Sequence, residues 1–453
     1  MDGERNQEKK GQVLRMTPGA PLRGKVIPPG DKSISHRAII FGALAEGRTE
    51  VDNLLEGEDV LRTIEAFRAM KVEIQQRGLG RWSIDGVGLE GLAESEDVLD
   101  LGNSGTAMRL LTGLLATQPF MSIVNGDASL RRRPMGRVVE PLRRMGARIL
   151  GRDHGRLAPL VIHGGQELLP IDYQCPVVSA QVKSAILLAG INTPGVTSVT
   201  ESAQTRDHTE RMLAAFGGEV ERNGLTVSVG CWPALKAQTM RIPGDFSAAA
   251  FPLVACLLTP GSELRIVNVG VNPTRIGLLD MLIAMGGQIE RSDERLMGGE
   301  PVADLTVHYS PLRGITVPRE WVPLAIDELP IFSVAAALAE GETILEGAEE
   351  LRVKESDRIA AMTAGLTRLG ANVEERADGM RIAGRPQGLA GGVTVDSWTD
   401  HRVAMSLLVA GLACKNPVTV TRCDNIATSF PGFVALMQKL GASLGEGFGP
   451  SAG

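Results

Sequence analysis

The chain has 453 residues, with 47 basic and 53 acidic side chains and a formal net charge of −6. That balance excludes the basic excess of a nucleic-acid binder, and 4% aromatic residues are too few for a base-stacking platform. Hydrophobic residues at 43% and charged ones at 22% exclude disorder, and at roughly 100–200 residues per domain the length predicts two or three domains.

From the N-terminus, residues 1–20 predict a mobile tail. The stretch carries Asp2, Glu4, Glu8, Lys9 and Lys10 and lacks the apolar core of a signal peptide. Its acids argue against an organelle transit peptide, so a cytoplasmic location is expected. The longest apolar run, Ala248 to Leu258, is 11 residues with Pro252 inside it, whereas a membrane helix needs about 20. Residues from Gly445 to the end predict a frayed terminus. Five cysteines, Cys175, Cys231, Cys256, Cys414 and Cys423, include no CxxC pair. The odd count argues against a disulfide framework or a zinc site, and no protein-held metal is expected.

A repeat organises what lies between. Six segments end in a helix that runs through a similar exit into a β-branched or apolar strand. The exits are Met70-Lys71-Val72, Met145-Gly146-Ala147, Phe216-Gly217-Gly218, Met285-Gly286-Gly287, Leu369-Gly370-Ala371 and Leu440-Gly441-Ala442. Their spacings are 75, 71, 69, 84 and 71 residues. Each unit reads as an apolar small-residue helix, a glycine turn, a strand, a second helix, the exit and a last strand. Alternating helix and strand periods predict an α/β fold. The units group by threes. Ile27-Pro-Pro-Gly-Asp-Lys-Ser33 is echoed by Ile242-Pro-Gly-Asp-Phe-Ser247, which places chain crossovers near residues 28–30 and 242–245. Only the first copy has cations, Lys32 and Arg37. The second has Phe246 and Phe251 in their places, so a symmetric fold would carry an asymmetric site.

Charged clusters precede most of the repeat helices, and each allows a plain structural reading. Lys32, Ser33 and Arg37 surround one helix start, as an anion site or an ordinary capped turn; Asp31 between Gly30 and Lys32 rules out a Walker-type loop. Asp100 to Arg109 is a polar glycine loop in which Asn103 or Ser104 serves as cap. Asp127 to Arg137 holds four arginines in its last seven residues, a solvated turn or a set of presented side chains, with Pro134 stiffening the backbone at Arg133. Ser179-Ala180-Gln181-Val182-Lys183 and Arg206-Asp207-His208-Thr209-Glu210 open two further helices. Asp327 and Glu328 lie in an apolar run, where acids need a partner or a function. Arg352 to Arg358 alternates sign, as a surface ladder or a site, and Thr399 to Arg402 ends before an apolar helix. Stacked by symmetry, these helix starts would converge, which suits a multiply anionic small ligand.

From about Leu22 to Leu444 the chain resembles the EPSP synthase family, and within it the class II bacterial branch. Gly30-Asp-Lys-Ser33, Asn103-x-Gly-Thr106, Arg133-Pro-Met-Gly136, Lys354-Glu-Ser-Asp-Arg358 and Asp400-His-Arg402 occur in the family's order. Ser179 to Lys183, Arg206 to Glu210 and Asn272-Pro-Thr-Arg275 are similar to class II segments. The resemblance implies a two-domain inverse α/β barrel-like architecture with three βαβαββ repeats per domain, closing like a clamp. The domains would be 29–242, and 243–453 together with 21–28. The implied reaction moves the enolpyruvyl group of phosphoenolpyruvate to the 5-hydroxyl of shikimate 3-phosphate, by addition then elimination. It implies these two small substrates, no cofactor, no nucleic acid, no membrane and a monomer.

Carried over by motif, Lys32, Ser33, Arg37, Ser179, Ala180, Gln181, Arg206, Asp327 and Lys354 resemble shikimate-3-phosphate contacts. Lys32, Gly105, Arg133, Gln181, Arg358 and Arg402 resemble phosphoenolpyruvate contacts. The implied catalytic residues are Asp327 as base, Glu355 as proton donor or relay, and Lys32. Asp327 must then be ionised, and a donating Glu355 needs a raised pKa. Thr428 stands where many relatives have a lysine. Gly105 stands where glyphosate-tolerant relatives can carry alanine, so sensitivity is expected. The sister transferase acting on UDP-N-acetylglucosamine usually has a reactive cysteine in a mobile loop, and none of the five cysteines lies near Arg131–Arg137. Retained Asp327 and Glu355 speak against a non-catalytic anion binder, and the acidic balance against an RNA-processing protein.

Overall fold

Alternating helix and strand periods resolve into six sheets on one plan in the computed structural model, which describes residues 11–447. In the first sheet Thr239–Arg241 runs parallel to Glu46–Asp52, which pairs antiparallel with Arg81–Val87 and that with Glu73–Gly78. The same order builds the second sheet, from Leu99–Asp100, Ser122–Asn125, Leu157–His163 and Arg148–Gly151. The third uses Asp172–Gln174, Thr197–Thr200, Thr226–Val229 and Val220–Asn223. Arg23–Val26, Glu263–Gly270, Glu300–His308 and Gln288–Met297 make the fourth. The fifth has three strands, Glu342–Leu345, Gly379–Ala383 and Asn372–Arg376, with a parallel bridge at Thr316 in the fourth place.

In the sixth sheet the missing central strand comes from the N-terminus. Leu14–Thr17 lies between Val418–Thr421 and Ser443–Glu446, with Thr394–Asp396 at the edge. This corrects the expected mobile tail over 1–20. Leu14 and Met16 alternate with Arg15 and Thr17 and are buried, so the segment fills a slot that two strands would otherwise leave unpaired. Gly445 and Glu446 belong to the last strand and are not frayed. Residues 1–10 and 448–453, also assigned to mobile ends, lie outside the described residues.

The first helix of each unit is almost wholly buried: Lys32–Leu44, Gly105–Leu115, Ala180–Gly190, Phe246–Leu258, Leu329–Ala337 and His401–Leu412. Helices therefore stand inside and sheets outside. Two apolar cores result. One spans Ile34 to Ile242; the other joins Leu14, Met16, Leu22 and Val26 to residues from Phe246 to Leu444. Small residues set the helix separation. A Cβ on Gly113 would sit on the backbone carbonyl of Ala185 in the neighbouring helix. Gly113→Ala is expected to lower stability by about 1–3 kcal/mol, because two backbones must part, and thermal melting checks it.

Where the chain crosses between cores, the echoed segments pair with each other. Asp31 N–H donates to the Pro243 carbonyl and Asp245 N–H to the Pro29 carbonyl, both at 2.8 Å, and Gly30 bridges Gly244 antiparallel. Asp31 then caps helix Lys32–Leu44, and Asp245 caps Phe246–Leu258. This double crossover holds the starts of two internal helices, one per core, side by side.

Candidate functional site

A cleft between the two cores collects the first residues of the internal helices. A cavity of about 90 Å³ is lined by Lys32, Ser33, Arg37, Gly105, Arg133, Ala180, Gln181, Arg206, Asp327, Lys354, Glu355 and Arg402. A second cavity, of about 340 Å³, shares Ala180, Gln181, Arg206, Asp327 and Lys354 and adds Ser179. Arg358 is the one sequence-predicted site residue on neither wall. It is 1% exposed and lies behind Glu355. The clusters that were separate in sequence thus converge.

Four of the six helix starts are capped by their own side chains, at Asp31, Ser104, Asp245 and Asp400. Ala180–Gly190 and Leu329–Ala337 have no such cap, and Ser179, Ala180 and Gln181 at the start of the former line the larger cavity, where uncapped amides suit an anion. Gln181 is fixed from two sides: it accepts from Arg109 and donates to Thr106 Oγ1 at 2.9 Å. Arg37 donates to Thr209, Ser184 and the Ser33 carbonyl, which leaves two of its five N–H groups. Burial pushes its pKa down to about 10.

Two carboxylates face this crowd of cations. Asp327 accepts from Arg206 at 2.7 Å and has Lys354 at 3.4 Å, Arg358 at 3.5 Å and Arg402 at 3.9 Å. Burial alone would raise its pKa, but Lys354, Arg206, Arg402 and Arg358 together hold it well below the usual carboxylate range. Glu355 lies 2.6 Å from Arg358 and 3.4 Å from Arg133. Burial is again outweighed, by Arg358 and then Arg133, and its pKa is well below normal. A donating Glu355 would need a raised pKa; its surroundings push it the other way, and both acids are anions. His401 is neutral, pushed down to about 3 by burial and then by Lys32.

The neighbouring acid behaves differently. Glu328 is 1% exposed and pairs with Arg275 at 2.8 Å, so of the two acids in the apolar run one is structural and one faces the cleft. The Arg352–Arg358 cluster divides likewise. Arg352 pairs outward with Asp357 and Glu375, at 2.7 and 3.0 Å, while Lys354, Glu355 and Arg358 turn inward.

Several wall residues escaped the sequence reading: Asp59, Thr106, Arg109, Asp245 and Arg275. Asp59 meets Lys32 Nζ at 3.0 Å. In sequence it is an acid in the first turn of helix Glu58–Ala69, a favourable position on any helix. Arg109 and Arg275 sit in segments that were singled out, but nothing in their spacing shows which way they point. Chemically, the cleft offers fixed cations for two or more anionic groups and two ionised carboxylates, in a volume that admits small molecules.

The family model described as EPSP synthase (3-phosphoshikimate 1-carboxyvinyltransferase) matches residues 16–437. A 3-phosphoshikimate 1-carboxyvinyltransferase of Magnetococcus marinus is 63% identical over 434 residues, covering 96% of this chain and 97% of that protein. One from Halorhodospira halophila is 55% identical, covering 95% and 97%. Among solved structures, EPSP synthase from Acinetobacter baumannii superposes with a TM-score of 0.86 at 46% identity, covering 96% of this chain and all of that one. The enolpyruvyl transferase NikO from Streptomyces tendae shares the fold, with a TM-score of 0.78 at 20% identity, covering 97% of this chain and 100% of that one.

Proposed function

The chain belongs to the EPSP synthase family, and on that premise we propose how its residues divide the work. The enzyme transfers the enolpyruvyl group of phosphoenolpyruvate to the 5-hydroxyl of shikimate 3-phosphate, giving 5-enolpyruvylshikimate 3-phosphate and phosphate. The step belongs to the shikimate pathway of aromatic amino-acid biosynthesis. The observation that carries the division of roles is the convergence of Lys32, Arg133, Arg206, Lys354 and Arg402 with Asp327 and Glu355 on one small cavity.

Shikimate 3-phosphate is held by Ser179, Ala180 and Gln181 at the uncapped helix start, with Lys32, Ser33, Arg37, Arg206 and Lys354 supplying charge and hydrogen bonds. Phosphoenolpyruvate is held by Lys32, Gly105, Arg133, Gln181, Arg358 and Arg402. Asp327 takes the proton of the 5-hydroxyl as its oxygen attacks C2, and C3 gains a proton through Glu355 or Lys32. The tetrahedral adduct then loses a proton from its C3 methyl group to Glu355 or Lys32 as the bond from C2 to the phosphate oxygen breaks, which restores the C2=C3 double bond, with the surrounding cations stabilising the leaving dianion. Asp59 holds the Lys32 ammonium in place, at 3.0 Å.

The same reading makes the enzyme a cytoplasmic monomer. Both walls of the cleft come from one chain, and the five cysteines are free thiols. Among the described residues no helix is long and apolar enough to cross a membrane. Phosphate release measured with both substrates, and with each omitted in turn, tests the reaction; release without shikimate 3-phosphate would reject it.

Gly105 supports the phosphoenolpyruvate assignment. A Cβ there would lie 3.1 Å from Arg133 Nη1 and 3.4 Å from Arg109 Nη1. Gly105→Ala is expected to raise the KM for phosphoenolpyruvate about tenfold, as overpacking of about 1–3 kcal/mol implies. It should weaken the longer mimic glyphosate further still. The unchanged enzyme is expected to be glyphosate-sensitive, and millimolar resistance with Gly105 in place would reject the steric argument.

A further inference from the structure

Away from the crossover, three arginine–carboxylate pairs span the cleft between the two cores among the described residues, Arg206–Asp327, Arg133–Glu355 and Arg137–Glu350, beside a buried His208–Glu300 contact at 2.7 Å. The first two join groups that the proposed reaction needs. When anionic substrates enter, Arg206 and Arg133 acquire new partners, so those two pairs loosen as the cleft fills. The third is different in kind. Arg137 Nη1 donates to both carboxylate oxygens of Glu350, at 3.0 and 2.9 Å, and neither residue holds a substrate group in that reading.

We infer that Arg137 and Glu350 are positioning residues, a latch across the mouth of the shikimate-3-phosphate cavity that keeps its two walls in register while the inner pairs are exchanged for substrate. Both side chains line the 340 Å³ cavity beside Ser179, Gln181, Arg206 and Lys354. They are 17% and 26% exposed, so the pair is shielded enough to exceed a fully exposed surface bridge. The charge on the two walls is uneven. The N-terminal core brings Lys32, Arg37, Arg109, Arg133 and Arg206 to the cleft with Asp59, whereas the other core brings Arg275, Lys354 and Arg402 with Asp245, Asp327 and Glu355. Once substrates engage the inner groups, Arg137–Glu350 is an attraction between the walls that they do not consume. The local field shows the crowding: Arg109 is pushed down to about 10 by burial and then by Arg137 and Arg133. Glu350 answers that excess from the opposite wall. Removing either partner would leave fewer molecules with matched walls, and apparent affinity falls with that fraction.

The inference rests on the proposed reaction, and its test separates the two. Calorimetric binding of shikimate 3-phosphate reads the latch without turnover, whereas phosphate release by the unchanged enzyme reads the reaction. Arg137→Ala and Glu350→Ala are each expected to weaken shikimate-3-phosphate binding about tenfold, with the melting temperature nearly unchanged. The double variant should be no weaker than the worse single one, since one interaction cannot be lost twice. The reciprocal exchange, Arg137→Glu with Glu350→Arg, should recover part of the affinity. Singles within twofold of the unchanged enzyme, or a double variant whose loss is the product of the two, would overturn the latch.

Discussion

Asp327→Asn is expected to lower kcat by about 10²–10⁴-fold, the usual contribution of a positioned general base, while shikimate 3-phosphate binds as well as before or more tightly. The sign of the binding change is the discriminating part. Asparagine keeps the shape of the side chain and an oxygen for Arg206 Nη2, which now donates to Asp327 Oδ2 at 2.7 Å. It removes the one negative charge shared by Arg206, Lys354, Arg358 and Arg402. Those cations are then held more loosely and are more available to an anion. A group that only braced the cleft would show the opposite pattern, a lower melting temperature and a higher KM with kcat preserved. Either near-normal kcat or a steep rise in KM removes Asp327 from the chemistry. The pH profile adds a second reading. Because those four cations hold Asp327 well below the ordinary carboxylate pKa of 3.8, it stays ionised through the neutral and mildly acidic range. Any acid limb of the unchanged enzyme above about pH 5 therefore belongs to another group, and in Asp327→Asn that limb should keep its position while the plateau drops.

Much of this arrangement is legible in the chain itself, for physical reasons that also mark where legibility ends. The six helix exits repeat because a helix that turns sharply into a strand needs a left-handed residue, and Gly146, Gly217, Gly286, Gly370 and Gly441 all have positive φ. The first exit has Lys71 instead of glycine, and Lys71 takes positive φ as well, so the unit is kept even where its marker is lost. Charged clusters at helix starts converge because repeats related by symmetry aim equivalent ends at one place. Orientation is what sequence does not carry. Lys354 and Arg352 are two residues apart and point to opposite sides of one segment. Arg275 reads as a polar residue after a proline turn, yet it sits under the crossover between Asp245 at 3.0 Å and Glu328 at 2.8 Å. Long-range pairing is equally hidden. Leu14–Thr17 is too short and too charged in context to announce a strand, and its partners lie at the other end of the chain.

Glu355 is where the proposed chemistry demands one protonation state and its protein surroundings favour another, and phosphoenolpyruvate itself supplies the reconciliation. Arg358 at 2.6 Å and Arg133 at 3.4 Å favour the anion of Glu355. Both arginines are assigned to phosphoenolpyruvate, whose carboxylate and phosphate bring further negative charge to the same place. Once the cations are shared, what remains around Glu355 is burial and a neighbouring anion, and both raise a carboxyl pKa. Binding of phosphoenolpyruvate should thus draw a proton onto Glu355, placing an acid next to C3 only when there is a substrate to protonate. With a shikimate-3-phosphate analogue lacking the 5-hydroxyl to prevent turnover, calorimetry at neutral pH in buffers of different ionisation enthalpy should show net proton uptake as phosphoenolpyruvate binds. Glu355→Gln should abolish that uptake and lower kcat by about 10²–10⁴-fold, with phosphoenolpyruvate still bound, since glutamine lifts a like charge from the site. Equal proton uptake in both proteins would move the proton to another group of the same wall, with Lys354, whose pKa burial lowers, the first to test.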